Sequence, residues 1–163
     1  MNRTIVLVLV VILIWVVAIT GLFVLSYQGQ GHKGFGVYLS ENDELVISDK
    51  DIMFYNWTFH HIRLNREAIE RIKGIDFFKK LYHKPFVVML DGREIYNGSF
   101  WSDMDSMSYS DVAILDILAV QNNMTDILRI EPCYPSVQFC KGADPRNNSE
   151  IFGYFQSIGK LVQ

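Results

Sequence analysis

The sequence predicts an α+β fold in which an N-terminal transmembrane helix precedes one exported domain, whose mainly antiparallel sheet of about five strands is packed by two or three helices. Three observations lead to this prediction. Residues 5–25 form an apolar run that no charged residue interrupts. The remaining chain alternates short β-prone runs with turn clusters and with apolar stripes at helical spacing. Of the 163 residues, about 130 follow the run and its polar tether, which is the size of one ordinary domain.

The apolar run is long enough to cross a bilayer. Val, Ile, Leu or Phe occupy 17 of its 21 positions. At about 1.5 Å per helical residue the run reaches about 31 Å, close to the thickness of a hydrocarbon core. We therefore expect residues 1–26 to be a membrane anchor that contacts lipid through residues 5–25. A flexible linker at 27–34 and a domain at 35–163 should follow.

The charge at the start of the chain favours a cytoplasmic N-terminus, because Arg3 and the free amine precede the run. The alternative is a cleaved signal peptide, with Ala18 and Thr20 as small residues before a cut at Gly21. Leu22–Leu25 continues the apolar run past that point, which favours an uncleaved anchor in the cell membrane. In both cases the domain is exported.

Several segments are predicted in the first half of the domain. β-branched and aromatic residues predict strands, and Ser or Asn before an apolar stripe predicts a helix start. The predicted elements are strands at Phe35–Leu39, Glu44–Ile47 and Trp57–Leu64, a helical turn from Ser48 to about Tyr55, a helix at Arg66–Lys73 capped by Asn65 and closed by Gly74, and a helical segment at Asp76–Tyr82.

A β-hairpin is the clearest local prediction. Phe86–Leu90 is β-prone, and Asp91-Gly92 is a turn dipeptide that leads into Arg93–Tyr96, with Ser99–Trp101 extending the sheet. The later predicted elements are a buried strand at Val112–Val120, for which a helix is the alternative, a strand at Asp126–Ile130, a loop at Cys133–Asn148 and a helix at Ser149–Leu161.

Composition and motifs argue against several functions. A net charge of −3 provides no basic excess to displace counterions from phosphates, so we do not expect nucleic-acid binding. The sequence has no nucleophile elbow, paired-histidine zinc helix or phosphate loop. His60 and His61 are adjacent on a predicted strand and should point to opposite faces. We therefore predict no catalytic, cofactor-binding or metal-ligating residue, and no cofactor.

The most polar constellation is Ser102–Asp111, which carries Asp103, Asp105 and Asp111. A calcium loop needs oxygen ligands at alternating positions, a central glycine and a closing Glu, and this loop departs from that pattern, for example at Met107. The sequence therefore favours a solvated loop. An envelope hydrolase that uses this Asp103–Asp111 loop with His60 or His61 is the enzymatic alternative.

Cys133 and Cys140 bracket a six-residue loop. In an exported domain they could pair in a disulfide, and the alternative is two separate small buried residues. The spacing alone leaves both interpretations open.

Four Asn-X-Ser/Thr sequons follow the predicted anchor. They are candidate glycosylation sites if the host glycosylates exported proteins, and the two in predicted loops are the most credible. Their asparagines are Asn56, Asn97, Asn123 and Asn147.

Residues from about Phe35 to Val120 resemble a known family. A short strand, an SDKDI turn, a strand, the helix LNREAIERI and then KPFVVMLDGREI look like the P1 head subdomain of SecD, a component of protein export. The resemblance implies a βα-rich, sandwich-like module that contacts other polypeptides, and it transfers no site residue. The exported stretch also looks like small uncharacterised membrane-anchored proteins of archaea.

These features together predict a membrane-anchored, extracytoplasmic module that binds a protein or envelope partner and is not an enzyme. The prediction rests on the anchor, the tether and the lack of a catalytic motif in the sequence. The alternatives are the envelope hydrolase and an accessory to SecD-type protein export.

Overall fold

A mixed β-sheet dominates the computed structural model, which describes residues 33–163. Nine strands are present in this part of the chain, and six of their eight pairings are antiparallel. The strands are β1 (Phe35–Leu39), β2 (Leu45–Ser48), β3 (Ile52–Asn56), β4 (His61–Leu64), β5 (Pro85–Leu90), β6 (Arg93–Phe100), β7 (Val112–Ile114), β8 (Ile127–Glu131) and β9 (Leu161–Val162).

The order of strands across the sheet is β2-β1-β5-β6-β7-β8-β4-β3-β9. The predicted hairpin is confirmed: β5 and β6 pair antiparallel around Asp91 and Gly92, whose φ angles are 49° and 78°. Both angles are positive, as a two-residue hairpin turn requires, and this explains why Asp and Gly occupy these positions. The two parallel pairings join β6 to β7 and β3 to β9.

Four α-helices are described alongside the sheet. The first begins where predicted, because the Asn65 side chain accepts a hydrogen bond from the Ala68 amide at 2.9 Å. It packs against the third helix, where the Gln121 amide donates to the carbonyls of Ile72 and Ile75. The helices are α1 (Arg66–Lys73), α2 (Phe77–Lys80), α3 (Ile117–Gln121) and α4 (Ser149–Ser157).

The main core lies between the sheet and these helices. Phe155 of α4 packs its ring against Phe35 and Tyr55, with centroid distances of 5.0 and 4.9 Å. A second, smaller apolar cluster contains Trp101, Ala113, Leu115 and Tyr134, with Tyr109 packed against it. Its members belong to β7 and to the segments that follow β6, β7 and β8.

The α+β prediction is correct, whereas the predicted numbers of strands and helices were too low. The helical turn predicted from Ser48 to Tyr55 ends after a single 3-10 turn at Asp49–Asp51, and β3 follows. Ile52 and Tyr55 are fully buried in β3, so packing of β-branched and aromatic side chains overrides the local helix signal. The strand predicted from Trp57 begins only at His61, because a turn occupies residues 57–60.

The segment Val112–Val120 contains both a strand and a helix, the two alternatives that the sequence left open. β7 ends at Ile114, and α3 begins at Ile117 after Asp116, whose φ is +73°. A continuous apolar run therefore divides at a residue in the left-handed region, where Asp is tolerated better than most side chains.

The last predicted helix is too long by about one turn. α4 ends at Ser157, Gly159 takes a positive φ of 69°, and Leu161–Val162 then forms β9 beside β3. Glycine adopts this conformation without a Cβ penalty, so the chain reverses there.

Within residues 33–163, no helix has the length and apolar character needed to cross a membrane. The predicted anchor at 1–26, its lipid contact through 5–25 and most of the 27–34 linker lie outside the described residues.

Candidate functional site

The Ser102–Asp111 loop lies at the open end of the β5–β6 hairpin. The first described residues lie at the opposite end, beside the hairpin turn. The Gly34 amide donates to Asp91 Oδ1 at 2.9 Å, so β1 begins beside the hairpin turn. From that turn β6 runs eight residues to Phe100, a distance of about 26 Å at 3.3 Å per strand residue. The loop follows directly.

The side chain of Asp105, a residue of this loop, is buried, although the sequence predicts a solvated loop. Its side chain is 4% exposed. It accepts hydrogen bonds from the Tyr82 hydroxyl and the Ser102 amide, and Oδ2 lies 3.3 Å from His83 Nε2. Burial raises the pKa of Asp105, but these hydrogen bonds outweigh burial and hold its pKa below the ordinary value.

An aromatic stack fixes His83 against this carboxylate. The His83 ring lies between Tyr82, at 3.9 Å between centroids, and Trp101, at 4.2 Å. Trp101 in turn packs on Tyr109 and Tyr134, and the Tyr134 hydroxyl donates to the backbone carbonyls of Asp103 and Asp105. The loop is therefore held by side chains from three separate parts of the chain.

A second network joins the loop to β8 and α3 through one guanidinium group. Arg129 Nε and Nη2 contact the two oxygens of Asp116 at 2.6 and 2.9 Å, and Nη2 also contacts Asp103 Oδ2 at 2.6 Å. Burial raises the pKa of Asp103, and Asp116 raises it further against the opposing effect of Arg129. Hydrogen bonding by Asp116 raises the pKa of Arg129, so its charge persists.

Beside these networks is an open groove with a volume of about 460 Å³, within the range of roughly 300–1,000 Å³ that is usual for ligand pockets. Its rim carries Met104, Met124 and Phe78, which are 76%, 78% and 59% exposed. We call this the methionine groove. Its lining residues are Phe78, Trp101, Ser102, Asp103, Met104, Asp116, Leu118, Ala119, Asn122 and Met124.

Trp101 adds an unsatisfied polar group to this region. Its Nε1 is buried and has no hydrogen-bond acceptor among the described residues. Leaving such a donor unpaired costs about 1–3 kcal/mol.

The two histidines singled out in the sequence do not contact the Asp103–Asp111 carboxylates. His60 Nδ1 lies 2.7 Å from the Tyr55 hydroxyl, and burial lowers the pKa of His60 to about 4. The His61 ring contacts that of Phe59 in a tilted arrangement, and His61 pairs with Arg129 across β4 and β8. The histidine at the loop is His83 instead, and residues 33–163 contain no cluster of three or more His, Cys, Asp or Glu able to hold a metal ion.

Cys133 and Cys140 form a disulfide in the structure, with their Cα atoms 5.2 Å apart. It closes the exposed loop that carries Val137 and Phe139. A neighbouring cleft of about 500 Å³ is lined by Tyr96, Lys141 and Arg146 among others. Arg146 is already paired with Asp144 and with the Ile130 carbonyl, so this cleft offers no free guanidinium.

The four sequon asparagines differ in accessibility. Asn97, Asn123 and Asn147 are exposed, whereas Asn56 is half-buried and accepts a hydrogen bond from the Phe59 amide. Glycosylation of these residues stays a prediction.

One sequon has a structural explanation of its own. Gly98 follows Asn97, and a Cβ at Gly98 would lie 2.1 Å from the Val112 carbonyl oxygen. Ser99 completes the sequon, and its hydroxyl pairs with that of Tyr109 at 3.1 Å. The packing of β6 on β7 therefore requires this glycine whether or not Asn97 carries a glycan.

Sequence reasoning missed the residues that form the methionine groove. Met104 and Met107 were a usable signal, because two large apolar residues inside an otherwise polar loop are exposed unless they bind something. No sequence pattern pointed to Phe78, Leu118 or Met124. These residues come from two helices and a turn that only the fold brings together.

The SecD-type resemblance was drawn from residues 35–120. No protein-family model, curated protein or solved structure matches this chain. The resemblance stays a prediction.

Proposed function

We propose that this chain is a membrane-anchored, extracytoplasmic binding module that is not an enzyme and that docks another protein in the methionine groove. The observation that carries this proposal is the groove itself. Three large apolar side chains, Met104, Met124 and Phe78, are more than half exposed around one concave surface. Contiguous exposed apolar surface is typical of protein-binding sites, and flexible methionines adapt to partner side chains.

The networks beside the groove favour binding over catalysis. The Asp105 carboxylate is hydrogen-bonded to Tyr82, Ser102 and His83, and the Asp116 carboxylate is held by Arg129. Groups that are satisfied in this way hold the loop in place. They support a rigid wall for a binding surface.

Two features support an exported, anchored position. The apolar run at 5–25 has the length of a membrane span. The disulfide between Cys133 and Cys140 is the kind of bond that persists in oxidising compartments.

A crosslinking pull-down from native membranes tests this proposal. The full-length chain is compared with the double variant Met104→Ala/Met124→Ala and with Met53→Ala, an exposed methionine outside the groove. We expect a partner that is retained by Met53→Ala and lost by the double variant. A chain lacking residues 2–25 should keep the partner if binding resides in the domain.

The opposite pattern would refute the proposal. If the captured partners are the same for the wild type and for the groove double variant, binding does not occur at the groove. Translocase subunits among the groove-dependent partners would support the accessory role in SecD-type export.

An envelope hydrolase is the second candidate, favoured by one contact. His83 Nε2 and Asp105 Oδ2 are 3.3 Å apart beside the groove, as in a carboxylate-oriented general base. A hydrolytic activity of the full-length protein that His83→Gln abolishes, with folding unchanged by circular dichroism, would favour this candidate. Activity that survives His83→Gln would exclude this pair as its base.

A further inference from the structure

We propose that the methionine groove takes a basic, apolar segment of its partner, with large aliphatic side chains between the methionines and a Lys or Arg at Asp103. This inference rests on the proposed function, because it names the chemistry of the occupant of the same groove. It is carried by the charges around the groove and by the apolar side chains that line it.

The charges that line the groove are of one sign. Asp103 and Asp116 are its only charged lining residues among those the structure describes. Both contact the same guanidinium, that of Arg129, so two carboxylates share one positive charge. The Asp103 side chain remains 53% exposed. A cation from a partner can therefore reach a carboxylate that is incompletely neutralised.

The lysines of α2 are paired with other carboxylates. Lys79 and Lys80 follow Phe78 on α2, but Lys79 pairs with Asp76 at 3.2 Å and Lys80 lies 4.0 Å from Glu44. An acidic segment or an anionic headgroup would meet unfavourable carboxylates at the groove. Charge complementarity thus selects a basic occupant.

The apolar surface selects the rest of the segment. Leu118 and Ala119 line the groove together with the exposed residues Met104 and Met124. Unbranched methionine side chains can close around aliphatic groups of different shapes.

Peptides of matched design test this inference on the full-length chain in nanodiscs of zwitterionic phosphatidylcholine. Three labelled probes are compared: a leucine/lysine peptide, a leucine/glutamate peptide with the same apolar positions, and a serine/lysine peptide with the same charge. Fluorescence anisotropy gives each Kd, and empty nanodiscs correct for lipid binding. We expect only the leucine/lysine peptide to bind, more weakly as NaCl is raised.

Variants locate the binding. Met104→Ala/Met124→Ala should weaken the leucine/lysine peptide about tenfold, because apolar contact area is lost. Asp103→Asn should weaken it about threefold, as expected for a partly exposed ion pair. Met53→Ala and Asp111→Asn make the same chemical changes outside the groove and should leave the Kd unchanged.

Several results would overturn the inference. These are equal binding of the leucine/glutamate peptide, no binding of the leucine/lysine peptide, or unchanged binding in the groove variants. If the peptides fail while the groove double variant still loses its crosslinked partner, the basic-segment inference falls and the proposed function stands. If the double variant keeps its partner, the proposed function itself falls.

Discussion

Asp105 connects the Ser102–Asp111 loop to the side chains of Tyr82 and His83 and to the backbone of the loop itself. The Tyr82 hydroxyl and the Ser102 amide donate to it, and His83 lies beside it. We predict that Asp105→Asn lowers the free energy of unfolding at pH 7 by about 1–3 kcal/mol, because an amide replaces a buried charged acceptor. Urea denaturation followed by tryptophan fluorescence measures this change.

Asp111→Asn is the matched control, since Asp111 is exposed and its carboxylate contacts only the Ser110 hydroxyl among the described residues. It should change stability by less than about 0.5 kcal/mol. Equal effects of the two substitutions would contradict the role given to Asp105.

Asp105 should also make the free energy of unfolding depend on pH. The pKa of Asp105 is lower in the folded protein than its ordinary value, which is about 3.9 in an unfolded chain. Its ionised form therefore stabilises the fold above that value, and the stabilisation is lost as the pH falls through the folded pKa. The stability difference between wild type and Asp105→Asn should be constant from neutral pH to about pH 5 and should shrink at lower pH. A difference that grows on acidification would contradict this sign.

Gly98 shows how one missing Cβ permits a parallel pairing. A Cβ there would lie 2.1 Å from the Val112 carbonyl oxygen and 2.6 Å from Phe86 Cζ. We predict that Gly98→Ala destabilises the protein by about 1–3 kcal/mol or more, because β7 must move away from β6. Gly153→Ala is the control in α4, where a Cβ meets nothing within 4 Å. The control should be neutral or stabilising, and thermal unfolding of both variants compares them.

At the scale of elements, α1 depends on its cap. The Asn65 side chain accepts from the Ala68 amide and donates to the Lys50 carbonyl, so it holds the helix start against the turn after β2. We predict that Asn65→Ala lowers the free energy of unfolding by about 1–2 kcal/mol. Asn65→Asp keeps the acceptor and loses the donor, so it should cost less. An Asp variant as unstable as the Ala variant would mean that the bond to Lys50 is the more important one.

Elements with strong local signals were predictable from the sequence. Asn65 and the apolar face of Arg66–Lys73 predicted α1, and Asp91-Gly92 predicted the hairpin. β3 and β9 could not be predicted, because their strand character depends on partners that are distant in the sequence. Tyr55, for example, pairs with Leu161. Local propensity cannot report a pairing that only tertiary packing creates.

The candidate site was predictable only in part, for the same reason. The Asp103–Asp111 loop was singled out, but its partners Tyr82, His83 and Arg129 lie more than 17 residues away in the sequence. No spacing rule connects them. The methionine groove, which combines this loop with α2 and α3, emerges only when the chain has folded.

For the whole molecule, the disulfide gives a test of the compartment. If the domain is exported, Cys133 and Cys140 should be oxidised in protein taken from native membranes. We predict no reaction with a maleimide reagent under denaturing, non-reducing conditions and reaction of both cysteines after reduction, read by mass spectrometry. Labelling of both without reduction would contradict an oxidising environment.

Photocrosslinking from inside the groove tests the central claim most directly. A photoreactive amino acid replaces Met104 or Met124 in the full-length chain, with Met53 as the exposed position outside the groove, and native membranes are irradiated. We predict that both groove positions crosslink to the same protein and that position 53 does not. Crosslinks to lipid alone, or to the same protein from all three positions, would contradict a docking site at the methionine groove.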